Sequence, residues 1–250
     1  MFHAITRSIP ASFAQALSAI PPDPPIDVAL ARAQHAAYCA ALAACGVAIE
    51  ALPGDEACPD GCFVEDTAVV VGDRALITRP GAPSRRAETA AVAAALARWL
   101  DLVEMTEPAT LDGGDCLRLG DTLYVGRSAR SNAAGIAALG VLGLRVVAVE
   151  LPPGVLHLKC VCSPLGDDRV LLAEQSVAAA TFDAAIVWVP AAETYAANAV
   201  AVGAHVIAAA GYPRTHEALA AAGFTVHPVP VSEVRKADGS LTCQSIVVRR

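Results

Sequence analysis

The stretch LDGGDCLRLGDTLYVGRSA, Leu111–Ala129, decides the fold because it echoes an earlier one. VEDTAVVVGDRALITRPGA, Val64–Ala82, has the same layout: an acidic residue, a short apolar run, a Gly-Asp turn, a second apolar run, then Gly, Arg and small residues. The two Gly-Asp pairs, Gly72-Asp73 and Gly120-Asp121, lie 48 residues apart. Short β-forming runs on either side of Gly-Asp read as a hairpin, since Gly supplies the turn conformation. Val69–Val71 and Ala75–Ile77 form the first such pair, and Leu117–Leu119 and Thr122–Val125 the second. Alanine-rich stretches follow each hairpin, Arg86–Leu100 and Asn132–Leu142, and both read as helix. One unit of strand, turn, strand, loop and helix cannot bury its own apolar face, so neighbouring units must complete it.

Working outward, the turn glycines Gly72, Gly120, Gly166 and Gly203 are spaced 48, 46 and 37 residues apart, giving four units. The amino-terminal strand and helix plus the last strand make a fifth, split unit that closes a ring. Beyond the hairpins, strands are expected at Ala4–Thr6, Val47–Leu52, Asp101–Met105, Arg145–Glu150, Leu156–Cys162, Ala185–Val189, Thr225–Val229 and Leu241–Val248. Helix is expected at Ile26–Cys45, with Gly46 as its stop, and at His216–Ala222. Pro21, Pro22, Pro24 and Pro25 make a stiff loop before the first long helix. No Gly/Ser-rich linker divides the chain, so one α/β domain of pseudo-repeats over residues 1–250 is expected.

Composition narrows the function. The chain is 55% hydrophobic and 17% charged, which excludes a wholly disordered polymer. Its net charge is −7, and Lys159 and Lys236 are its only lysines, so a nucleic-acid surface is not expected. The alanine-rich run Thr194–Gly211 contains Asn198 and His205 and reads as a buried element, not a membrane span. The amino-terminal FHAITR does not read as a signal peptide, so the expectation is a cytoplasmic protein with eight reduced thiols.

Several side chains could carry chemistry. His157 lies in Leu156-His157-Leu158 and Cys243 in Leu241-Thr242-Cys243-Gln244. Each alone fits a structural role; together with the acids at repeat-equivalent places they allow a Cys/His nucleophilic site. Asp60, Glu65, Asp66, Asp112 and Asp115 are those acids. Metal binding is an alternative for such a set, but Cys58-x3-Cys62 and Cys160-x-Cys162 are poor matches to zinc spacing, and no phosphate-binding glycine motif occurs. The loop ITRPGAPSRR, Ile77–Arg86, presents Arg79, Arg85 and Arg86 from a proline-stiffened segment. It reads either as a solvated basic loop or as an arginine fork for a carboxylate.

These motifs resemble the dimethylarginine dimethylaminohydrolase family. The matching residues are Phe63-Val64-Glu65-Asp66-Thr67, the run Thr78–Thr89, Leu111-Asp112-Gly113-Gly114-Asp115, Ser128-Ala129-Arg130-Ser131-Asn132, Leu156-His157-Leu158-Lys159, Tyr195-Ala196-Ala197-Asn198, Gly211-Tyr212-Pro213-Arg214, and Asp238-Gly239 with Leu241-Thr242-Cys243. They occur in order, and the match runs from Ala4 nearly to the end. The resemblance implies a five-bladed pseudosymmetric α/β propeller built from ββαβ-type repeats, as in the guanidino-group-modifying superfamily. It implies hydrolysis of methylated arginine to citrulline and a methylamine through a covalent thiouronium intermediate. Cys243 would be the nucleophile, His157 the acid and base, and Asp112 the residue that orients the histidine. Asp60 and Asp66, with Glu65 alongside, would hold the guanidinium, Arg85 and Arg130 the α-carboxylate, and Phe63 an apolar wall. Leu17 would belong to a lid and Ile246 would lie near the substrate amino group. The implied partner is a small cationic amino acid, with no cofactor and no metal, on a monomer or homodimer. Two rivals are an arginine deiminase, usually longer by an inserted helical domain, and a catalytically silent binding module, which the intact Cys243, His157 and acidic partner disfavour.

Overall fold

Hairpin glycines set the plan. Gly72, Gly120 and Gly203 have φ of +60°, +52° and +58°, the left-handed region that a two-residue turn needs and a side chain resists. In the computed structural model, which describes residues 1–249, these turns join the first two strands of three repeating units.

The chain begins with β1 (Phe2–Arg7), α1 (Val28–Ala44) and β2 (Val47–Leu52). The first full unit is β3 (Ala68–Val71), β4 (Arg74–Ile77), α2 (Thr89–Leu96) and β5 (Asp101–Glu104). The second is β6 (Cys116–Leu119), β7 (Thr122–Arg127), α3 (Ala133–Ala138) and β8 (Arg145–Glu150). The third is β9 (Cys162–Pro164), β10 (Arg169–Ala173) and β11 (Ala185–Val189). The fourth is β12 (Val200–Val202), β13 (His205–Ala209), α4 (Pro213–Ala221) and β14 (Thr225–Val229). α5 (Ser232–Lys236) and β15 (Ile246–Arg249) end the described chain.

Five three-stranded sheets result, each with the same wiring. The first strand pairs antiparallel with the second, and the second pairs parallel with the third. β15 supplies the first strand for β1 and β2, so the chain ends close the fifth sheet with Ile5 opposite Ile246. The fold is therefore a five-bladed α/β propeller. Helices α1, α2 and α4 cover the outer faces, and apolar side chains fill the space between blades. Tyr38 and Leu42 of α1 are fully buried against Val47, Val202 and Ile207, bridging the fifth and fourth blades. Burying one such leucine contributes about 1.5–3 kcal/mol.

Three expectations are corrected. Leu156–Cys162 is not a strand: Leu158–Cys160 forms a 3-10 turn and β9 starts only at Cys162. Leu241–Val248 likewise opens with a 3-10 turn, Thr242–Gln244, before β15. In both places buried polar side chains bond across the molecule, and the strand gives way to the turn that lets them do so. The helix expected at Arg86–Leu100 begins as a 3-10 turn, Pro83–Glu88, because Arg85 folds back onto Glu88. Between β10 and β11 there is a 3-10 turn, Ala179–Thr181, in place of an α-helix, since that crossover is too short for several turns. Among the described residues no helix is long and apolar enough to cross a membrane.

Candidate active site

Each blade begins with a 3-10 turn that points toward the ring's centre: Val64–Thr67, Gly113–Asp115, Leu158–Cys160, Ala191–Ala197 and Thr242–Gln244 lead into β3, β6, β9, β12 and β15. One group from each turn region meets at the axis. Lys159 Nζ donates to Glu65 Oε1 at 2.6 Å and to the Gly113 carbonyl at 3.3 Å. Thr242 Oγ1 donates to Glu65 Oε2 at 2.6 Å, and Asn198 Nδ2 donates to Thr242 Oγ1 at 3.0 Å and to the Lys159 carbonyl at 2.9 Å. Asp66 and Cys243 of these turns, with His157 just ahead of its turn, line a cavity of about 210 Å³. A second cavity of about 540 Å³ has Glu65 and Lys159 in its wall.

The smaller cavity gathers most of the candidates. Cys243, His157, Asp66, Arg85, Arg130, Asp60 and Phe63 line it. Leu17 and its neighbours Ser18 and Ala19 form the rim facing Asp238 and Gly239. Leu17 N–H donates to Asp60 Oδ1 at 3.0 Å, and Ala19 N–H donates to Asp238. Tyr195 Oη holds the Gly239 carbonyl at 2.9 Å, and a Cβ on Gly239 would strike the Phe63 ring.

His157 Nε2 lies 3.1 Å from Asp112 Oδ2. Asp112 is fully buried, and its other oxygen accepts from Gly81 N–H at 2.8 Å. Arg130 also reaches Asp112 Oδ2, at 3.4 Å. Asp66 accepts from Gly114 N–H at 2.9 Å and pairs with Arg85 at 2.6 Å. Gly114 is required here, since a Cβ would stand 2.9 Å from both Asp66 Oδ1 and His157 Nδ1. Arg85 is committed on every side, to Asp66, to Glu88 at 2.8 Å and to the Phe63 carbonyl at 3.0 Å.

Burial opposes charge on His157, yet Asp66, Asp112 and Asp115 around it raise its pKa to about 9, so the ring is an imidazolium at neutral pH. Burial lifts the Cys243 thiol well above its ordinary range, and the carboxylates of Glu65 and Asp66 add to that. Burial also opposes charge on Asp66, but His157 and Arg85 outweigh it and hold this carboxyl below the usual range. The resting pair is therefore a neutral thiol and a charged imidazole.

Three sequence candidates do not line this cavity, and the first of them, the fully buried Asp112, meets it only through His157 and Arg130. Glu65 is turned into the axial ring, where Lys159 and Thr242 hold it. Ile246 is buried with Ile5, Val64 and Ala68, because the first residue of β15 points into the core between blades. The segment at the site is instead Ala237–Gly239, preceding the Cys243 turn. Asp115, whose role was not legible, ties Ser128, Ser131 and the Leu158 N–H together beneath His157. Its repeat-equivalence to Asp66 was the available signal. Asp66, Asp112 and His157 offer donor atoms within 4.8 Å of one another, but Arg85 already pairs with Asp66, and each acid also accepts a backbone N–H. The set is built to hold a proton on His157.

The sequence and the fold match known proteins. A family model for N,N dimethylarginine dimethylhydrolase, eukaryotic, matches residues 25–246. The N(G),N(G)-dimethylarginine dimethylaminohydrolase of Pseudomonas aeruginosa is 44% identical over 227 residues, covering 88% of this chain and 89% of that protein. The enzyme of the same name from Streptomyces coelicolor is 44% identical over 235 residues, covering 90% and 88%. A solved structure of the Pseudomonas aeruginosa protein, a cysteine-to-serine variant complexed with citrulline, superposes with a TM-score of 0.92 at 38% identity, covering 98% of each chain. A histidine-to-glycine variant of a dimethylarginine dimethylaminohydrolase, as an adduct with S-methyl-L-thiocitrulline, superposes with a TM-score of 0.92 at 40% identity, covering 99% of this chain and 100% of that one.

Proposed function

The chain belongs to the dimethylarginine dimethylaminohydrolase family, and from that premise we propose that it hydrolyses Nω-methylated arginines to citrulline and dimethylamine or methylamine, with Cys243 as nucleophile. The observation that carries this reading is the cavity's polarity. A thiol and an imidazolium line the cavity together with the carboxylates of Asp60 and Asp66 and the guanidinium groups of Arg85 and Arg130. An amino acid with a cationic side chain and an anionic carboxylate finds groups of opposite charge for both there.

The sequence of steps follows from the resting charges. Two carboxylates and burial disfavour the Cys243 thiolate. A guanidinium beside Asp66 offsets those charges, and the thiol proton leaves to solvent. The thiolate sulfur bonds to the guanidinium carbon. His157, protonated at neutral pH, gives its proton to the departing amine as the C–N bond breaks. The neutral ring then takes a proton from water, whose oxygen attacks the thiouronium carbon. The C–S bond then breaks as the hydroxyl's remaining proton passes to the departing sulfur, which releases citrulline and restores the Cys243 thiol. Asp112 keeps the ring oriented through its 3.1 Å contact and stabilises its charged form. Glu65 acts at one remove, as part of the axial ring behind Cys243. Residues 1–249 act in this reading as one catalytic unit, since Leu17 at one end and Cys243 at the other share a cavity.

The test compares asymmetric dimethylarginine, monomethylarginine and arginine in a citrulline assay. Methylated substrates are expected to turn over and arginine to lag far behind. Equal turnover of arginine would move the protein to the deiminase reading, and no citrulline from any of the three would remove the hydrolase reading.

A further inference from the structure

Outside the active site, one cluster of side chains is unused by the reaction: Cys45, His205 and His227. His205 opens β13 and His227 lies in β14. The register pairs His205 with Thr225 and Ile207 with His227, so the two histidines share one face of the fourth blade, offset diagonally by two residues. That face packs under α1, as Ile207, Ala209 and Val229 show by their burial against Tyr38 and Leu42. Cys45 caps the carboxyl end of α1, its N–H bonded to the Ala41 carbonyl at 3.1 Å. Gly46 follows with φ of +80° and turns the chain into β2, which fixes the thiol over the two rings.

Sulfur, His205 Nδ1 and His227 Nε2 offer three donor atoms within 4.8 Å of one another. The two ring nitrogens are 3.0 Å apart. Tetrahedral zinc, with bonds of about 2.0–2.1 Å to nitrogen and 2.3 Å to sulfur, needs donor separations of about 3.3–3.6 Å. The cluster therefore needs only a small adjustment to close on such an ion. A hydrogen bond between two imidazoles satisfies those nitrogens by itself, and the Cys45 side chain packs at the edge of the core under α1, within reach of both rings. A thiolate and two imidazoles in a half-exposed cluster are the donor set that borderline-soft divalent ions select.

We propose that Cys45, His205 and His227 form a binding site for a zinc-class divalent cation, joining the end of α1 to the fourth blade. On binding, the Cys45 S–H proton is released to solvent. The proton held between the rings moves to an outward-facing ring nitrogen, leaving both inward lone pairs for the metal. Three protein ligands leave the fourth position to water or an external donor. The site also touches the reaction's scaffold. The inward stripe of α1 that ends at Cys45 carries His35, 2.9 Å from Gln244, and Tyr38, 2.6 Å from Ser245. Those two residues directly follow Cys243, so the metal fastens the helix that braces the nucleophile's turn.

The test titrates the Cys243→Ser protein with Co2+, which removes the active-site thiol from consideration. One equivalent should give the intense visible bands of a tetrahedral ion and a thiolate-to-cobalt charge-transfer band. Adding Cys45→Ser should abolish the charge-transfer band, and His205→Ala or His227→Ala should each weaken binding at least tenfold. Zn2+ should displace Co2+ and raise Tm, and that rise should vanish with Cys45→Ser. In the background that keeps Cys243, Cys45→Ser and the histidine variants should retain citrulline production without metal, which certifies their folding; if one histidine variant fails to fold, the other carries that arm. No tetrahedral spectrum, or a thiolate band that survives Cys45→Ser, would overturn the site.

Discussion

Cys243 rests as a neutral thiol beside the His157 imidazolium, one proton away from an activated thiolate–imidazolium pair, and this shapes how single substitutions behave. Burial and two carboxylates keep the thiol protonated, and in the proposed reaction a cationic substrate offsets those charges so that the thiolate forms. Cys243→Ser should lower citrulline release on the order of 10³-fold or more, since an alcohol is a far poorer nucleophile there, while urea unfolding stays unchanged. Retained turnover would remove the covalent step. His157 also links stability to pH. Its pKa stands at about 9 against an ordinary value of 6.5, so the folded state holds its proton more tightly. The stabilisation is complete below about pH 6.5 and is lost as pH rises through about 9, amounting to a few kcal/mol on the order of 1.4 per unit. Melting temperatures across that window should fall for the native protein and fall less for His157→Gln; parallel curves would show that the proton is not held there. The arginines divide differently. Arg85 neutralises two buried acids, so Arg85→Ala should damage folding as well as binding. Arg130 is less buried, with a longer contact to Asp112, and Arg130→Ala is the cleaner probe of carboxylate binding. It should raise KM about 10- to 100-fold with Tm little changed, the scale of one or two charge-assisted hydrogen bonds.

At the level of elements, the loop Ile77–Arg86 positions the site more than its arginines alone suggest. Gly81 N–H holds Asp112, and a Cβ on Gly81 would stand 2.6 Å from the Arg130 Cα. Gly81→Ala should therefore shift Arg130 and loosen Asp112 together, raising KM and lowering kcat each about tenfold or more, with the kcat loss tracing to His157. A change in KM alone would show that Asp112 is held by other means. The hairpins were legible because their turns need glycine at positive φ, and the split fifth blade was legible because its strands complete a count begun by the others. The 3-10 turns were not. Nothing periodic marks Leu158–Cys160 or Thr242–Gln244; they exist because Lys159, Asn198 and Thr242 bond across blades, a relation invisible to local pattern. That is why local pattern reads as strand through Cys243, whereas the expectation of Ile246 near the substrate amino group rests on the family resemblance. Cys45, His205 and His227 are further still from legibility, lying in three separate elements with no shared spacing.

Across the whole molecule, five blades meet in one polar ring instead of an apolar plug, and this arrangement joins stability to catalysis. Each blade contributes one group: Glu65, the Gly113 carbonyl, Lys159, Asn198 and Thr242. The same 3-10 turns carry Asp66 and Cys243, with His157 just ahead of its turn, so the ring fixes the spacing of residues from three blades. Burial and the Lys159 ammonium act oppositely on Glu65, and burial wins by enough to leave its carboxyl above the usual range. An anion in that balance depends on its partner. Lys159→Met keeps the length of the side chain and removes its charge, leaving Glu65 with Thr242 alone. The cost should be about 3 kcal/mol, the low end for breaking a buried pair, because the second cavity admits some water. Glu65→Gln combined with Lys159→Met should recover part of that loss, since no unpaired charge then remains, and the two effects should fail to add. Urea unfolding of the two single variants and the double variant measures both quantities. If Lys159→Met cost under about 1 kcal/mol, or the effects were additive, the ring would be decoration and the blades would be held by their apolar seams alone.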